Sequence, residues 1–237
     1  ALLHAAEVAQ EVKEAASIGV RGSFEGIDMD ALNFYKDSVI AKMYKGLTGL
    51  IDSRGIEMIH GWGRLVASNT VEVNGRQIVG KNIVLASGSY SKAIGQTITQ
   101  RVMTSEQALH MNTVPRSAIV LGGGVIGVEF ASIWESYGAD VTIIEGLSHL
   151  VPNEDEAISK ALERAFRKRK ITFKTSTMFE KVEEHEHGVR VFTQDGQQFE
   201  AEYLLIAIGR GQATANLGYE ENGIKLDRGF VVTDERL

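Results

Sequence analysis

The chain has 237 residues, 43% hydrophobic and 24% charged, the composition of an ordinary globular protein with room for one or two domains. A formal net charge of −6 argues against nucleic acid or an anionic membrane as main partner, and no apolar run approaches the roughly 18 residues of a membrane span. Cysteine is absent, which excludes disulfides, thiolate metal sites and thiol nucleophiles from residues 1–237. The opening Ala1-Leu2-Leu3-His4 has no initiator Met and no basic stretch before an apolar core, so it does not read as a signal peptide. A cytoplasmic setting is the default expectation.

Residues 1–16 predict the body of a helix, with Leu3, Val8, Ala9 and Val12 among alanines and charges and no capping residue ahead of Ala1. A loop from Gly19 to Gly26 follows. Asp28 or Asp30 is the expected cap of a second long helix reaching about Ser53. Its Leu32, Tyr35, Val39, Ile40, Met43, Leu47 and Leu50 fall at core spacing, and Gly55 ends it. The period then changes. Residues 56–60, 64–67, 70–73 and 77–79 are short alternating runs, with turns at Asn69 and Asn74-Gly75, which predicts an antiparallel meander. Residues 82–86 predict a buried strand running into Ser87-Gly88-Ser89. That tripeptide suits a phosphate or ribose, and equally suits a plain turn. Residues 90–114 read as a polar connector with a short helix near residues 105–110.

Ser117-Ala118-Ile119-Val120-Leu121 is an apolar run ending in Gly122, Gly124 and Gly127, a G-x-G-x-x-G at a strand-to-helix turn. Gly122 permits the tight turn, Gly124 lets a pyrophosphate approach bare backbone, and Gly127 lets helix and strand pack closely. The helix that follows points its unpaired N–H groups at the anion. In a chain with 25 glycines the spacing alone says little; its surroundings give it force. Val125, Val128, Ala131, Ile133, Trp134 and Tyr137 bury one helical face, and Gly138 suits the position just past the helix. A second strand, residues 140–144, ends at Glu145, which lies 145 − 127 = 18 positions after Gly127. The acid that holds an adenosine ribose is expected at roughly 20. A carboxylate there accepts from ribose hydroxyls and repels a 2′-phosphate, and no Arg or Lys lies between Glu145 and Asn153. The expected cofactor is therefore NAD rather than NADP.

Asn153 followed by Glu156 suggests a capping box for the next helix. Its acidic first turn and basic last turn, Arg167 to Lys170, complement the helix dipole. Ile171-Thr172-Phe173 predicts another parallel strand. Residues 181–184 and 189–193, with Phe199, predict a second meander turning at Asp195-Gly196. His185-Glu186-His187 puts two imidazoles on one strand face, but in a charged hairpin beside Gly188, so solvated turn residues are expected and no metal site. Residues 203–208 form a buried strand stopping at Gly209, on the sheet edge that carries Gly122. Beyond it, only Phe230-Val231-Val232 shows regular pattern.

The glycine loop with Val128-Glu129-Phe130-Ala131, and Gly138 through Glu145, resembles the NAD domain of the dihydrolipoamide dehydrogenases. These are flavin-dependent pyridine nucleotide-disulfide oxidoreductases. Leu2-Leu3-His4-Ala5, Gly61-Trp62-Gly63, Ala86-Ser87-Gly88-Ser89, Val151-Pro152-Asn153-Glu154-Asp155 and Ala207-Ile208-Gly209-Arg210 extend the likeness almost end to end. Another two-dinucleotide flavoprotein, such as a mercuric reductase or NADH oxidase, and a free-standing NAD-binding module are the competing readings.

The resemblance implies an α/β fold: a Rossmann-like NAD domain, parallel sheet plus antiparallel meander, beside an incomplete FAD-binding domain. The expected boundaries are 1–100 for the partial FAD domain, 101–212 for the NAD domain, and 213–237 for a return toward the FAD domain. It implies NAD contacts at Gly122, Gly123, Gly124, Val125, Ile126, Gly127, Val128, Glu129, Glu145, Val182 and Gly209. FAD contacts are implied at Gly63, Ser87, Gly88 and Ser89, and Glu129 matches a glutamate that pairs with a lysine near the flavin. The family oxidises dihydrolipoamide through a redox cysteine pair and FAD to reduce NAD, as a homodimer serving 2-oxoacid dehydrogenase complexes. No catalytic residue falls within 1–237, and the likeness implies an internal portion of such an enzyme, inactive alone. Where relatives carry Leu-Pro-Gly after the Thr-Gly-Ser motif, this chain has Ala93-Ile94-Gly95.

Overall fold

The computed structural model describes residues 1–237. Helix α1 spans Leu2–Glu14 without a side-chain cap, and α2 spans Met29–Ser53. Asp28 caps α2, its Oδ1 accepting from the Ala31 N–H at 3.0 Å. The strands β1 (Arg64–Ala67), β2 (Thr70–Val73), β3 (Arg76–Val79), β4 (Ser89–Ser91) and β5 (Val102–Thr104) precede the short helix α3 (Ser105–Ala108). Then come β6 (Ser117–Leu121), α4 (Val125–Tyr137), β7 (Asp140–Ile144), α5 (Glu156–Lys168) and β8 (Thr172–Lys174). Strands β9 (Phe179–His185), β10 (Gly188–Thr193), β11 (Gln198–Ala201) and β12 (Tyr203–Ile206) follow, and β13 (Arg210–Gln212), β14 (Leu226–Asp227) and β15 (Phe230–Val231) end the chain. No helix is long and apolar enough to cross a membrane.

The chain divides into two compact units, Ala1–Tyr44 with Ser91–Gly209, and Lys45–Tyr90 with Arg210–Leu237. In the first, β5-β12-β6-β7-β8 form a parallel sheet and β11-β10-β9 an antiparallel one. Because side chains alternate across a strand, β6 and β12 feed two cores at once. Val120 and Leu205 pack with Phe130, Trp134 and Tyr137 of α4, while Ile119, Leu121, Leu204 and Ile206 pack with Val189 and Val191 of β10. Covering both faces explains why these strands read as unbroken apolar runs.

Small residues let α1 approach α4, with Ala6 and Ala9 buried. Tyr137 Oη donates to Leu2 O at 2.9 Å, and Lys13 Nζ donates to Ser136 O at 2.7 Å. Burial pushes the Tyr137 phenol up to about 12. Beyond the end of α5, Arg169 donates to Glu135 Oε2 at 3.1 Å, Ser132 Oγ at 2.7 Å and Ser136 Oγ at 2.9 Å. The guanidinium fork thereby ties the end of α5 to α4.

The second unit holds the β1-β2-β3 meander, the β13-β4 and β14-β15 pairs, and a small core of Leu65, Leu217 and Tyr219. Asn74 and Gly75, at φ 51° and 76°, turn β2 into β3.

The compact units follow other limits than the expected 1–100, 101–212 and 213–237, with residues 1–44 clustering beside residues 91–209. Several expectations need correction. Along α2 only Leu32 and Lys36 are buried, and Tyr35, Ile40, Met43, Leu47 and Leu50 are exposed. Residues 56–60 are not a strand. Residues 82–86 join no ladder either, and Val84 is 86% exposed. The connector contains β5, a fully buried edge strand of the parallel sheet. Asp155, not Asn153, caps α5, accepting from the Ala157 N–H at 2.8 Å. His185 ends β9 while His187 sits in the turn, so the two imidazoles share no strand face; both are exposed.

Candidate functional site

The parallel sheet creates a cleft where β6 meets α4. After Leu121 the chain turns at Gly122 with φ 106°, where a Cβ would stand 2.5 Å from Ala207 O. Gly122 N–H donates to Ile144 O at 2.8 Å and Ala207 N–H to Leu121 O at 2.7 Å, so β7 and β12 hold the turn from both sides. A Cβ on Gly127 would overlap Gly122 O, which makes glycine obligatory there. Gly124 differs. It is the uncapped N-cap of α4, and a Cβ on it would meet nothing within 4 Å. The loop is thus held tightly behind and open in front, beside a helix N-terminus whose first N–H groups lack intrahelical partners.

Glu145, at the carboxyl end of β7, is buried. Its Oε2 accepts from the Gly123 N–H at 2.6 Å and its Oε1 from the Leu147 N–H at 2.7 Å. A carboxylate offers about four acceptor sites, so each oxygen keeps capacity for a ligand hydroxyl. The cleft measures about 630 Å³, within the ~300–1,000 Å³ of small-molecule sites. Glu145 is the only titratable side chain lining it. An uncapped helix N-terminus beside a carboxylate with spare acceptor capacity is an arrangement that can accommodate an anion next to a hydroxyl-bearing group.

Gly122, Gly124, Val125, Ile126, Glu145 and Gly209 come together on this cleft. Gly123, Gly127 and Val128 are buried behind it, and Glu129 is exposed on α4. Val182 is not brought to the cleft: it faces the apolar cluster around Val189 and Val191, and β9 contributes Phe179 instead. Gly63, Ser87, Gly88 and Ser89 belong to the other unit, and all are exposed. There Arg210 Nε donates to Ser89 Oγ at 2.7 Å, and Ala213 N–H donates to Gly88 O at 3.1 Å. Residue-level reading missed Ile94, Leu147 and Met178, which also line the cleft. Leu147 and Met178 carry no motif, and Ile94 lies in a turn whose residues do not advertise one.

The whole chain, residues 1–237, matches the family model described as pyridine nucleotide-disulphide oxidoreductase. It is 34% identical over 242 residues to a dihydrolipoyl dehydrogenase of Chlamydia pneumoniae, covering 100% of this chain and 52% of that protein. A dihydrolipoyl dehydrogenase of Thermus scotoductus is 31% identical, with 100% and 53% covered. Among solved structures, LpdA from Mycobacterium tuberculosis superposes with a TM-score of 0.85 at 25% identity, over 96% of this chain and 52% of that one. The flavoprotein disulfide reductase RclA from Escherichia coli gives 0.82 at 29% identity, over 100% and 52%. The chain thus spans about half the length of most of these relatives. A glycine loop locked between β7 and β12, in a chain matched from end to end, makes this protein a member of the pyridine nucleotide-disulphide oxidoreductase family.

Proposed function

We propose that the cleft binds NAD and that residues 1–237 are the dinucleotide-holding portion of a dihydrolipoyl dehydrogenase. The observation that carries this is the pairing of an open Gly124 with a buried Glu145 carboxylate bonded to the neighbouring Gly123 N–H. The pyrophosphate rests against Gly124 and the first turn of α4, and Glu145 receives the adenosine ribose hydroxyls. A 2′-phosphate would stand against that carboxylate with no lining cation to balance it, which favours NAD over NADP. Gly209 at the end of β12 flanks the other half of the ligand.

In the second unit, Gly63 and Ser87-Gly88-Ser89 contribute to the adenosine side of an FAD site. When bound, flavin and nicotinamide supply the hydride chemistry. This chain's residues supply binding and orientation, and with no cysteine they perform no thiol step. Oxidation of dihydrolipoamide, homodimerisation and service to a 2-oxoacid dehydrogenase complex, in the cytoplasm, complete the reading by family likeness.

Calorimetric titration of the full protein with NAD+ and NADP+ tests it. NAD+ is expected to bind at least about tenfold tighter, equivalent to about 1.4 kcal/mol. Gly124→Val, which fills open space, is expected to abolish NAD+ binding while leaving the melting temperature unchanged. Equal affinity for both cofactors, or undiminished binding by the variant, refutes the assignment.

A further inference from the structure

The turn at residues 93–96 sets sequence against backbone at the mouth of the cleft. Gln96 N–H donates to Ala93 O at 2.9 Å, and the central residues Ile94 and Gly95 have φ of 45° and 73°. Two positive φ values inside such a bond mark a type I′ turn, which Asn, Asp and Gly dominate. The chain makes the same turn at Asn74-Gly75 with the favoured residues. At position 94 stands isoleucine, whose branched Cβ makes left-handed backbone a true outlier. Core packing does not account for it, because Ile94 is 43% exposed.

Ile94 instead lines the cleft, with Val125, Ile208 and Gly209. Lys92 N–H donates to Gly209 O at 3.2 Å, which fixes the turn to the carboxyl end of β12. Sheet order then gives its place along a ligand. β6 carries the phosphate loop, β7 carries Glu145, and β12 lies on the opposite flank of β6. A dinucleotide with its adenosine over β7 lays its nicotinamide half over β12.

We propose that Ile94 is a specificity-determining residue, an apolar wall for the nicotinamide half, retained at a backbone position that disfavours it because of that contact. This rests on the dinucleotide reading of the cleft. Backbone strain concentrates at ligand clamps, and here it coincides with a lining side chain that the fold itself leaves half-uncovered.

The test uses the full protein with Ile94→Gly, which removes strain and contact together, and Ile94→Asn, which gives this turn the residue used at position 74. Each is titrated with NAD+ and with ADP-ribose, which lacks nicotinamide, and each is melted. Both variants are expected to melt a few degrees higher, as strain relief of this kind does. Their NAD+ dissociation constants are expected to rise about tenfold through the lost apolar contact. ADP-ribose affinity stays within about twofold, because its adenosine and phosphates lie over β7 and β6. Unchanged NAD+ affinity, equal weakening of both ligands, or no rise in melting temperature overturns the proposal. Failure of the unaltered protein to bind ADP-ribose removes the dinucleotide reading itself. Binding of ADP-ribose with no effect at position 94 removes only the role given to Ile94.

Discussion

Ile83-Val84-Leu85 and Ile119-Val120-Leu121 are the same tripeptide in two settings. In β6 it has β12 and β7 as hydrogen-bonded neighbours and a layer on each face, leaving Ile119 at 1% and Val120 at 0% exposure. At residues 83–85 no ladder forms. Val84 is 86% exposed, and Ile83 and Leu85 only lean on the small cluster of Leu65, Leu217 and Tyr219. Strand preference expresses fitness for a pleated, packed surface, and neighbours far away in sequence decide whether that surface exists.

The contrast is broken or sharpened most forcefully by a charge. Val120→Asp buries an unpaired carboxylate and is expected to cost ~4 kcal/mol or more in urea denaturation. Val84→Asp is expected to change stability by about 0.5 kcal/mol or less, as exposed positions do. A comparable loss at Val84 would show that the residue is covered in the protein, and the contrast would fail. Gly127→Ala comes next. Helix propensity favours alanine by ~1 kcal/mol, yet the Cβ meets Gly122 O, so a net loss of about 1–3 kcal/mol is expected. A gain in stability would mean that the loop is not packed as described.

Smaller effects test elements whose ends matter more than their burial. Asp155→Ala is expected to cost about 1 kcal/mol and Asn153→Ala much less, since only Asp155 accepts a bond from the first turn of α5. Tyr137→Phe loses the bond to Leu2 O, worth about 1 kcal/mol near neutral pH. The phenol is raised on folding, so the folded state favours its protonated form. That stabilisation is full below pH 10 and disappears as pH climbs through about 12. The gap between wild type and variant should therefore narrow over that window in pH-dependent melts.

The glycine loop was legible because Gly122 and Gly127 each carry a separate steric demand while Gly124 keeps the space before the helix open, and Glu145 because it ends the strand beside that loop. Those demands are local, so they survive in sequence. Strand β5 was hidden because three residues inside a polar connector give no period; only pairing with β12 makes them a strand. The length of α2 was readable from its cap and its helix formers, while its burial was not, since an apolar stripe says nothing about what lies opposite. Val182 and Phe179 sit on one strand, whose register against β10 shifts between Lys181 and Phe179, and residue type does not say which of the two reaches the cleft. Ile94 was invisible for a different reason: its turn is made against the preference of its residue.

The carboxylate of Glu145 is a brace, because two backbone amides already hang from it, and under the proposed function it is the group that recognises the sugar as well. Any redesign meant to admit a phosphorylated sugar by shortening this side chain would also release Gly123 and slacken the turn beneath the proposed diphosphate position. Cofactor exchange in this scaffold consequently calls for two coordinated changes: a cation to greet the new phosphate, and a fresh acceptor to keep the loop in place.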